Sequence, residues 1–489
     1  MKVLLVNPNV GYFNSAVFNP LGLLAIGSYL KSIGHEVKLL DRCVETVNFK
    51  KYLASFRPEV VGFSIMSPRG IKDAVKLSKI AKQHGCYVTW GGAVPTIQPE
   101  MVLKETCIDS VIISEGEYTF RELLETLESG STQFENIKGL AYRESGVFRR
   151  NADRPFADLS QFPMTDYSLI HVEKYLIPYL GCERLMYMYS GKGCPCSCTF
   201  CTNTSFHKSC SRKRPNAYVI AEIKYLIENY GLDGVYFSDE LWCADKKEMF
   251  DFCRRVKEEN LKFSWFIMSR VDQFSKEEYE LMFECGCRGV MFGIETGSRE
   301  MMKKIHKNIN YDRIIPSFAA LKHIGITNIA SFIIGYPDET VEQLKDTVNL
   351  IQHLDAHLTP VFHLTPLPGT AIYDEVVGQG KYKPITTLKE CAKVIPTISV
   401  GKNLSAVPTL DLRVIRSRFV WNSFSNKNAI EKKKPFTFAK DTVLSGWRAI
   451  TQKGIISFLV DGFSAFGNFC YIFWFAHMYP RVRKKYGLK

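Results

Sequence analysis

Short apolar runs, each closing in glycine or a polar turn and each followed by a helix-period stretch, recur from the N-terminus to about residue 373. A run that is apolar at consecutive positions is buried on both faces. That demands a parallel sheet covered by helices on either side. Val3 to Val6, Val37 to Asp41, Val60 to Ser64, Tyr87 to Trp90 and Val111 to Ile113 are the runs of a first block, residues 1–130. Helices are expected from Gly22 to Lys31, from Ile71 to Gln83 and up to Leu127. The class is α/β, a doubly wound sheet whose ligands sit at the carboxyl ends of the strands. Those ends are Asn7-Pro8, Ser64, Gly91-Gly92 and Glu115-Gly116, where glycine lets a backbone approach a large flat ligand closely.

Residues 131–180 read as a connector, punctuated by Pro155, Pro163 and Pro178, with a hairpin around Gly139 to Arg143. The strand and helix alternation resumes at Met186, within a core spanning residues 181–375. Its strands are Met186 to Ser190, Gly234 to Phe237, Phe263 to Ile267, Gly289 to Gly293, Ile329 to Ile334 and Thr359 to Leu364. Each ends in a polar or glycine-rich turn. The pattern is that of a partial (β/α)6 barrel with its chemistry at the C-terminal strand ends. Residues 376–489 read as mostly helical, apolar and basic.

The first core strand delivers the run Gly193-Cys194-Pro195-Cys196-Ser197-Cys198-Thr199-Phe200-Cys201. Cys194, Cys198 and Cys201 are spaced C-x3-C-x2-C. Thiolates are soft ligands, and three on one short loop hold three irons of a cubane cluster, leaving the fourth iron open for a small molecule. With 15 cysteines in 489 residues, a chance match to this spacing is expected about 0.01 times. Zinc would call for two separated pairs, and no other C-x2-C stands in the chain. Cys196 is a spare thiol and leaves a second register open. The N-terminus reads as a buried strand and not as a secretory signal, so the cysteines point to a reducing cytoplasm and metal chemistry.

The cysteine spacing, with Phe200 before its last member, resembles the radical S-adenosylmethionine (SAM) enzymes. The resemblance implies a 4Fe-4S cluster whose open iron chelates SAM, and cleavage of SAM to a 5′-deoxyadenosyl radical by one electron. It also implies an electron donor such as flavodoxin or ferredoxin. The first block is similar to the cobalamin (B12)-binding, flavodoxin-like domain found ahead of many such cores. The similarity rests on Pro20-Leu21-Gly22-Leu23, Gly34 to Val37 with Asp41, Val61 to Ser64, Gly91-Gly92 and Glu115-Gly116-Glu117. It implies cobalamin contacts at Pro20, Leu21, Gly22, Ser64, Gly91, Gly92, Glu115 and Gly116. No D-x-H-x-x-G is present, so no histidine of that motif reaches the lower face of cobalt, and His35 reads as structural.

The same resemblance distributes the groups around SAM. One of Asp239 and Glu240 would bind the methionine amino group. Ser269 and Arg270 end the third strand, where Arg270 would fork onto the SAM carboxylate or make a surface ion pair. Glu295 is similar to the family's fourth-strand acid. Gly335, in Gly335-Tyr336-Pro337, would lie near adenine, with Phe200 as a wall. His306 is read on a solvated helical face.

The formal charge is +13. From Asp411 onward there are 15 basic and 4 acidic residues, an excess of 11. Ile455 to Ala476 is apolar but interrupted by Asp461, Gly462, Gly467 and Asn468, which reads as buried or interfacial helices and not a span. Arg481-Val482-Arg483-Lys484-Lys485 follows. Apolar plus basic suits a peripheral contact with anionic lipid at the inner face of the membrane, and a helical cap with a solvated tail is the other reading.

The resemblance implies transfer of a methyl group from methylcobalamin to an unactivated carbon of a hydrophobic, lipid-like or natural-product molecule. Ring formation or coupling on a tetrapyrrole or lipid is the second reading. A tRNA methylthiotransferase is a third. It would need a second cluster from Cys43, Cys86 and Cys107, and no small RNA-binding barrel follows the core. A non-enzymatic cluster or corrin carrier is the fourth.

Overall fold

The computed structural model describes residues 1–11, 18–394, 401–430, 472 and 474–488. The chain divides into two compact units. The first comprises Met1–Tyr175, Ser205–Lys208 and a stretch beginning at Pro384.

In the first unit the apolar runs become β1 (Lys2–Asn7), β2 (Glu36–Asp41), β3 (Val60–Ser64), β4 (Tyr87–Gly91) and β5 (Ser110–Ile112). They are parallel, in the order β2-β1-β3-β4-β5. The order reverses beside β1, and in doubly wound sheets such a reversal opens a crevice at the strand ends. Helices Leu21–Ser32, Ile71–Gln83 and Glu117–Glu128 fall where the 3.6-residue period places them. The hairpin of the connector forms as β6 (Leu140–Glu144) and β7 (Val147–Arg150). It extends the sheet antiparallel to β5, because Leu140, Ala141 and Tyr142 have apolar surface to bury. Leu388 and Cys391, far along the chain, are buried in this unit's core with Phe63, Trp90 and Met101.

His35 sits at the entry of β2. Its Nδ1 is 3.3 Å from the N-terminal amine and 3.9 Å from Glu128 Oε1, at the end of the sheet opposite the ligand crevice.

The second unit opens with β8 (Ile177–Tyr179) and β9 (Cys182–Met188), then a small ladder of β10 (Gly191–Lys192) and β11 (Arg212–Lys213). It continues through β12 (Gly234–Phe237), β13 (Ser264–Ser269), β14 (Cys287–Glu295), β15 (Thr327–Ile334) and β16 (Val361–His363). The sheet runs β16-β15-β14-β13-β12-β9-β8, parallel except for β8. Its strands β9, β12, β13, β14, β15 and β16 are those of the expected partial barrel.

The two faces of this sheet divide by register. Val235 pairs with Trp265, and Phe237 and Trp265 pack on Phe252 of the helix Lys246–Glu258. The opposite face carries Tyr187, Tyr236 and Phe266 in register, with Met268, Met291 and Ile329 beyond them. Tyr236 and Phe266 stack nearly parallel, 6.3 Å between centroids.

The surrounding helices start on side-chain caps. Ser275 with Glu278 and Thr340 with Gln343 close complete capping boxes, each satisfying two otherwise orphaned backbone donors. Beyond the barrel the helix Thr409–Ile430 packs on β16. The helix Pro480–Lys485 packs on it in turn, with Lys485 Nζ 2.7 Å and the Tyr486 hydroxyl 3.0 Å from Asp411. The apolar stretch from Ile455 lies, except for its last few residues, outside the described residues. Among the described residues no helix is long and apolar enough to cross a membrane.

Candidate active site

The cysteine loop follows β10, and its backbone is tied down on every side. Gly193, at φ +84°, donates its N–H to Glu240 Oε2 at 2.8 Å. Thr199 donates to the carbonyl of Ile305 at 3.1 Å and accepts from Ile372 at 3.0 Å. Asn203 Nδ2 reaches back to the carbonyl of Cys194 at 3.1 Å, closing the loop on itself. The backbone that carries the three cysteines is therefore braced by protein contacts.

Cys198 is buried, while Cys194 and Cys201 are half-buried. Burial pushes the thiols of Cys198 and Cys201 up. Cys196 points to a cation instead: Arg270 Nη1 is 3.3 Å from its sulfur. Its thiol lies below the ordinary value, chiefly through the hydrogen bond with Cys194 and then through Arg270. Among the described residues no three His, Cys, Asp or Glu side chains converge on a point that one ion could fill. A cubane is gripped at separate irons, so its ligands surround a space and not a point. Three soft donors on a braced loop, with cationic side chains beside them, fit such a cluster.

The neighbouring acids Asp239 and Glu240 have different surroundings. Asp239 is buried, and its carboxylate accepts the N–H of Ser190 at 2.8 Å, the Ser190 hydroxyl, and Lys213 Nζ at 3.3 Å. Burial still raises its pKa, the Lys213 cation and the Ser190 donors opposing that rise. Its acceptor sites are thus spent inside the protein. Glu240 is exposed and holds the start of the cluster loop.

Arg270 is also occupied. Its guanidinium meets Asp272 at 3.2 and 3.3 Å, the carbonyl of Lys307 at 3.3 Å and that of Asn308 at 2.5 Å, besides Cys196. It buckles the loop to the segment after β14, and its pairing with Asp272 is the ion pair that was the other reading of this residue. Ser269 is buried with its hydroxyl on Gln273, 2.9 Å away.

Glu295 ends β14 at φ +72°, a left-handed conformation that side chains other than glycine rarely adopt. It is buried, and Lys307 Nζ lies 3.3 Å from its Oε1. A side chain at Gly293 would strike both groups. Gly335, at φ +83°, donates to Glu339 Oε2 at 2.6 Å. The Phe200 ring meets Tyr336 edge-on at 6.2 Å, so cluster loop and fifth-strand turn share one wall. His306 follows the helix Arg299–Lys304 in a left-handed turn. It is solvated, as expected, but not helical. Lys307, Glu339 and Asn203 had no motif to mark them.

In the first unit, Ser64, Gly91, Gly92 and Gly116 line a slot of about 40 Å³ at the strand ends, together with Leu23 and Ser114. Gly92 has φ +95°, and a Cβ there would lie 2.9 Å from the Ile65 backbone nitrogen. At Gly116 it would lie 2.8 Å from Ile26. Glycine keeps this slot clear and leaves the backbone at the strand ends open to close approach by a large cofactor. Pro20 caps the helix Leu21–Ser32 that flanks it, and Gly22 is exposed at the helix start. Glu115 is met by a residue that the sequence did not flag, His207, with Nδ1 3.6 Å from its Oε1. The adjacent Ser114 hydroxyl donates to the carbonyl of Phe206 at 2.9 Å. The segment just after the cluster loop thus belongs to the first unit. A larger cavity, about 830 Å³, opens between the helices Arg299–Lys304 and Val341–His353 and holds none of the expected site residues.

The radical SAM superfamily model matches residues 188–351, and the B12 binding domain model matches residues 15–124. A protein of Pyrococcus horikoshii named as an uncharacterized methyltransferase is 32% identical over 389 residues, covering 77% of this chain and 83% of its own. The chain is a radical SAM enzyme with a B12-binding domain. It belongs to the cobalamin-dependent family of its methyltransferase relatives, and its cofactors are a 4Fe-4S cluster, SAM and cobalamin. The anaerobic magnesium-protoporphyrin IX monomethyl ester cyclase of Rubrivivax gelatinosus is 24% identical, covering 77% of the enzyme and 70% of its own chain. The structure of the radical SAM methyltransferase TsrM of Kitasatospora setae, with tryptophan and a SAM analogue bound, shares the fold. It matches at TM-score 0.68 and 20% identity, over 77% of the enzyme and 76% of that chain.

Proposed function

We propose that the enzyme transfers a methyl group to an unactivated carbon of a small apolar substrate. The observation that carries the substrate class is the barrel face of half-buried Tyr236, Met268 and Met291, backed by buried Tyr187, Phe266 and Ile329, which is aromatic and thioether in character and carries no charge. Aromatic and methionine surfaces suit ligands recognised by shape and dispersion. When bound, the cluster supplies one electron for SAM cleavage and cobalamin supplies the methyl group.

The protein's own part is holding and screening. Cys194, Cys198 and Cys201 hold three irons. Glu240 accepts from the methionine amino group of SAM while keeping Gly193 in place. Glu295 meets polar groups of SAM, Gly335 lets adenine approach the backbone, and Phe200 walls it. Arg270 and Ser269 position the loop and the strand end without touching SAM. Ser64, Gly91, Gly92, Glu115 and Gly116 seat cobalamin, with Pro20, Leu21 and Gly22 shaping the flanking helix. Fixed positioning and exclusion of water are the protein's main contribution to radical chemistry.

Cys43 follows β2 whereas Cys86 precedes β4, at opposite ends of the first sheet. That separation argues against a second cluster and so against methylthiolation. The basic C-terminal stretch supports a contact with anionic membrane, which liposome flotation of the full chain against a truncation before Ile455 tests. Equal flotation of both forms removes it.

The deciding experiment is anaerobic purification with cobalamin supplied, followed by SAM, reductant and an apolar cell extract. Methyl transfer gives extract-dependent 5′-deoxyadenosine and S-adenosylhomocysteine together. 5′-Deoxyadenosine without S-adenosylhomocysteine turns the reading to ring formation or coupling. Neither product from iron-loaded protein leaves a carrier.

A further inference from the structure

The segment Ile305 to Asn308 is a strap laid against the cluster loop. The carbonyl of Ile305 receives Thr199 N–H at 3.1 Å. Arg270 Nη1 bridges the carbonyl of Lys307 and the sulfur of Cys196, at 3.3 Å from each. His306 and Asn308 both stand at positive φ, +53° and +45°. Histidine and asparagine enter this region more readily than most side chains, and two such residues close together bend the chain sharply. Here they bracket one residue and turn it inward.

That residue is Lys307. Its side chain is 13% exposed and pairs with Glu295 Oε1 at 3.3 Å, beside Gly293. Burial by itself would lower the ammonium's pKa, and the Glu295 carboxylate 3.3 Å away opposes that. Glu295 faces it from β14, and Arg270, paired with Asp272 as Lys307 is with Glu295, faces it from the end of β13.

We propose that Lys307 is a fixed cation that sets the reduction potential of the cluster on Cys194, Cys198 and Cys201. One electron from a low-potential one-electron carrier adds one negative charge to a cluster already ligated by three thiolates. Passed on to the C5′–S bond of a bound SAM, that electron would break it into methionine and a 5′-deoxyadenosyl radical, and would leave the cluster at its oxidised charge. A buried cation next to the loop lowers the cost of the first step, because cluster potentials follow local net charge and burial. Lys307 is a tuning residue that touches neither substrate nor transferred methyl. This rests on the cluster, not on the proposed methyl transfer, and holds whatever the substrate is.

The test is a potentiometric titration of the anaerobic full-length protein, followed by electron paramagnetic resonance of the reduced cluster without SAM. About four irons per chain are verified in each variant. Lys307→Met is expected to move the midpoint to more negative potential, and Lys307→Arg to stay near wild type. Lys307→Met strands a buried carboxylate, so the double variant Lys307→Met with Glu295→Gln, which strands no charge, is run beside it. It too is expected below wild type, by less, because Lys307 acts on Cys198 more strongly than Glu295 does. A wild-type midpoint in the iron-loaded double variant, or an equal shift in Lys307→Arg and Lys307→Met, overturns the proposal and leaves Lys307 as a counter-ion to Glu295. Methyl transfer failing in a wild type of ordinary midpoint bears on the proposed function alone.

Discussion

Glu240 Oε2 accepts the N–H of Gly193 at 2.8 Å, while the preceding residue, Asp239, is wholly engaged by Ser190 and Lys213. The two acids therefore fail differently when neutralised. Asp239→Asn leaves Lys213 buried against an uncharged partner, and breaking a buried pair costs about 3–5 kcal/mol. A large fall in the thermal midpoint is expected by calorimetry. Glu240→Gln is exposed and should fold normally. Losing a charged acceptor for the SAM amino group is worth about 1.5–3 kcal/mol, roughly tenfold to a hundredfold in affinity. Equilibrium dialysis with SAM checks it, and unchanged affinity would remove Glu240 from the site.

Glu339 ties the fifth-strand turn and carries a pH signature. Burial raises its carboxyl from 4.5 to about 7, opposed by the N–H groups of Gly335 and Tyr336. Below pH 4.5 both folded and unfolded carboxyls hold their proton, and its contribution is fully present. As pH rises toward 7 the unfolded chain loses that proton first, so stability falls through this window and levels off above it. The effect is on the order of 3 kcal/mol. Urea midpoints between pH 5 and pH 8 should decline in the native chain and flatten in Glu339→Gln, which keeps an acceptor for Gly335.

Tyr175 closes the first unit from the connector. Its hydroxyl donates to Asp41 Oδ2 at 2.8 Å, where Asn7 Nδ2 and the Cys43 N–H also bind this fully buried carboxylate. Tyr175→Phe removes one donor from a buried charge and is expected to cost about 1–3 kcal/mol. Chemical denaturation followed by a probe in the first unit measures it. Wild-type stability would mean that the remaining donors suffice.

Two glycines of the first unit should part company. Gly92→Ala combines positive φ with a Cβ 2.9 Å from the Ile65 backbone, and loss of cobalt from the purified protein is expected. Gly22→Ala meets nothing within 4 Å and should retain it. Cobalt per chain by elemental analysis reads both, and equal loss would point to the helix start as a contact.

The sequence by itself determined what depends on near neighbours along the chain. Continuous apolar runs fix strands buried on both faces, a 3.6-residue period fixes helices, and the cysteine spacing lies within one loop, so the sheet class, the parallel strands and the candidate cluster cysteines were legible, while the antiparallel edge strand β8 was not. Tertiary structure alone decided which polar groups are already spent. Asp239 and Glu240 are indistinguishable until Ser190 and Lys213 close on one of them, and Arg270 looks available until Asp272 and two distant carbonyls occupy it. Lys307 and His207 carried no motif, since their roles come from left-handed turns and from contacts across separate elements. The stretch from Pro384 reads as part of the C-terminal region but fills the N-terminal core with Leu388 and Cys391. Periodicity reports that a face is apolar; only the folded chain says what covers it, because burial is a property of partners brought together from far along the chain.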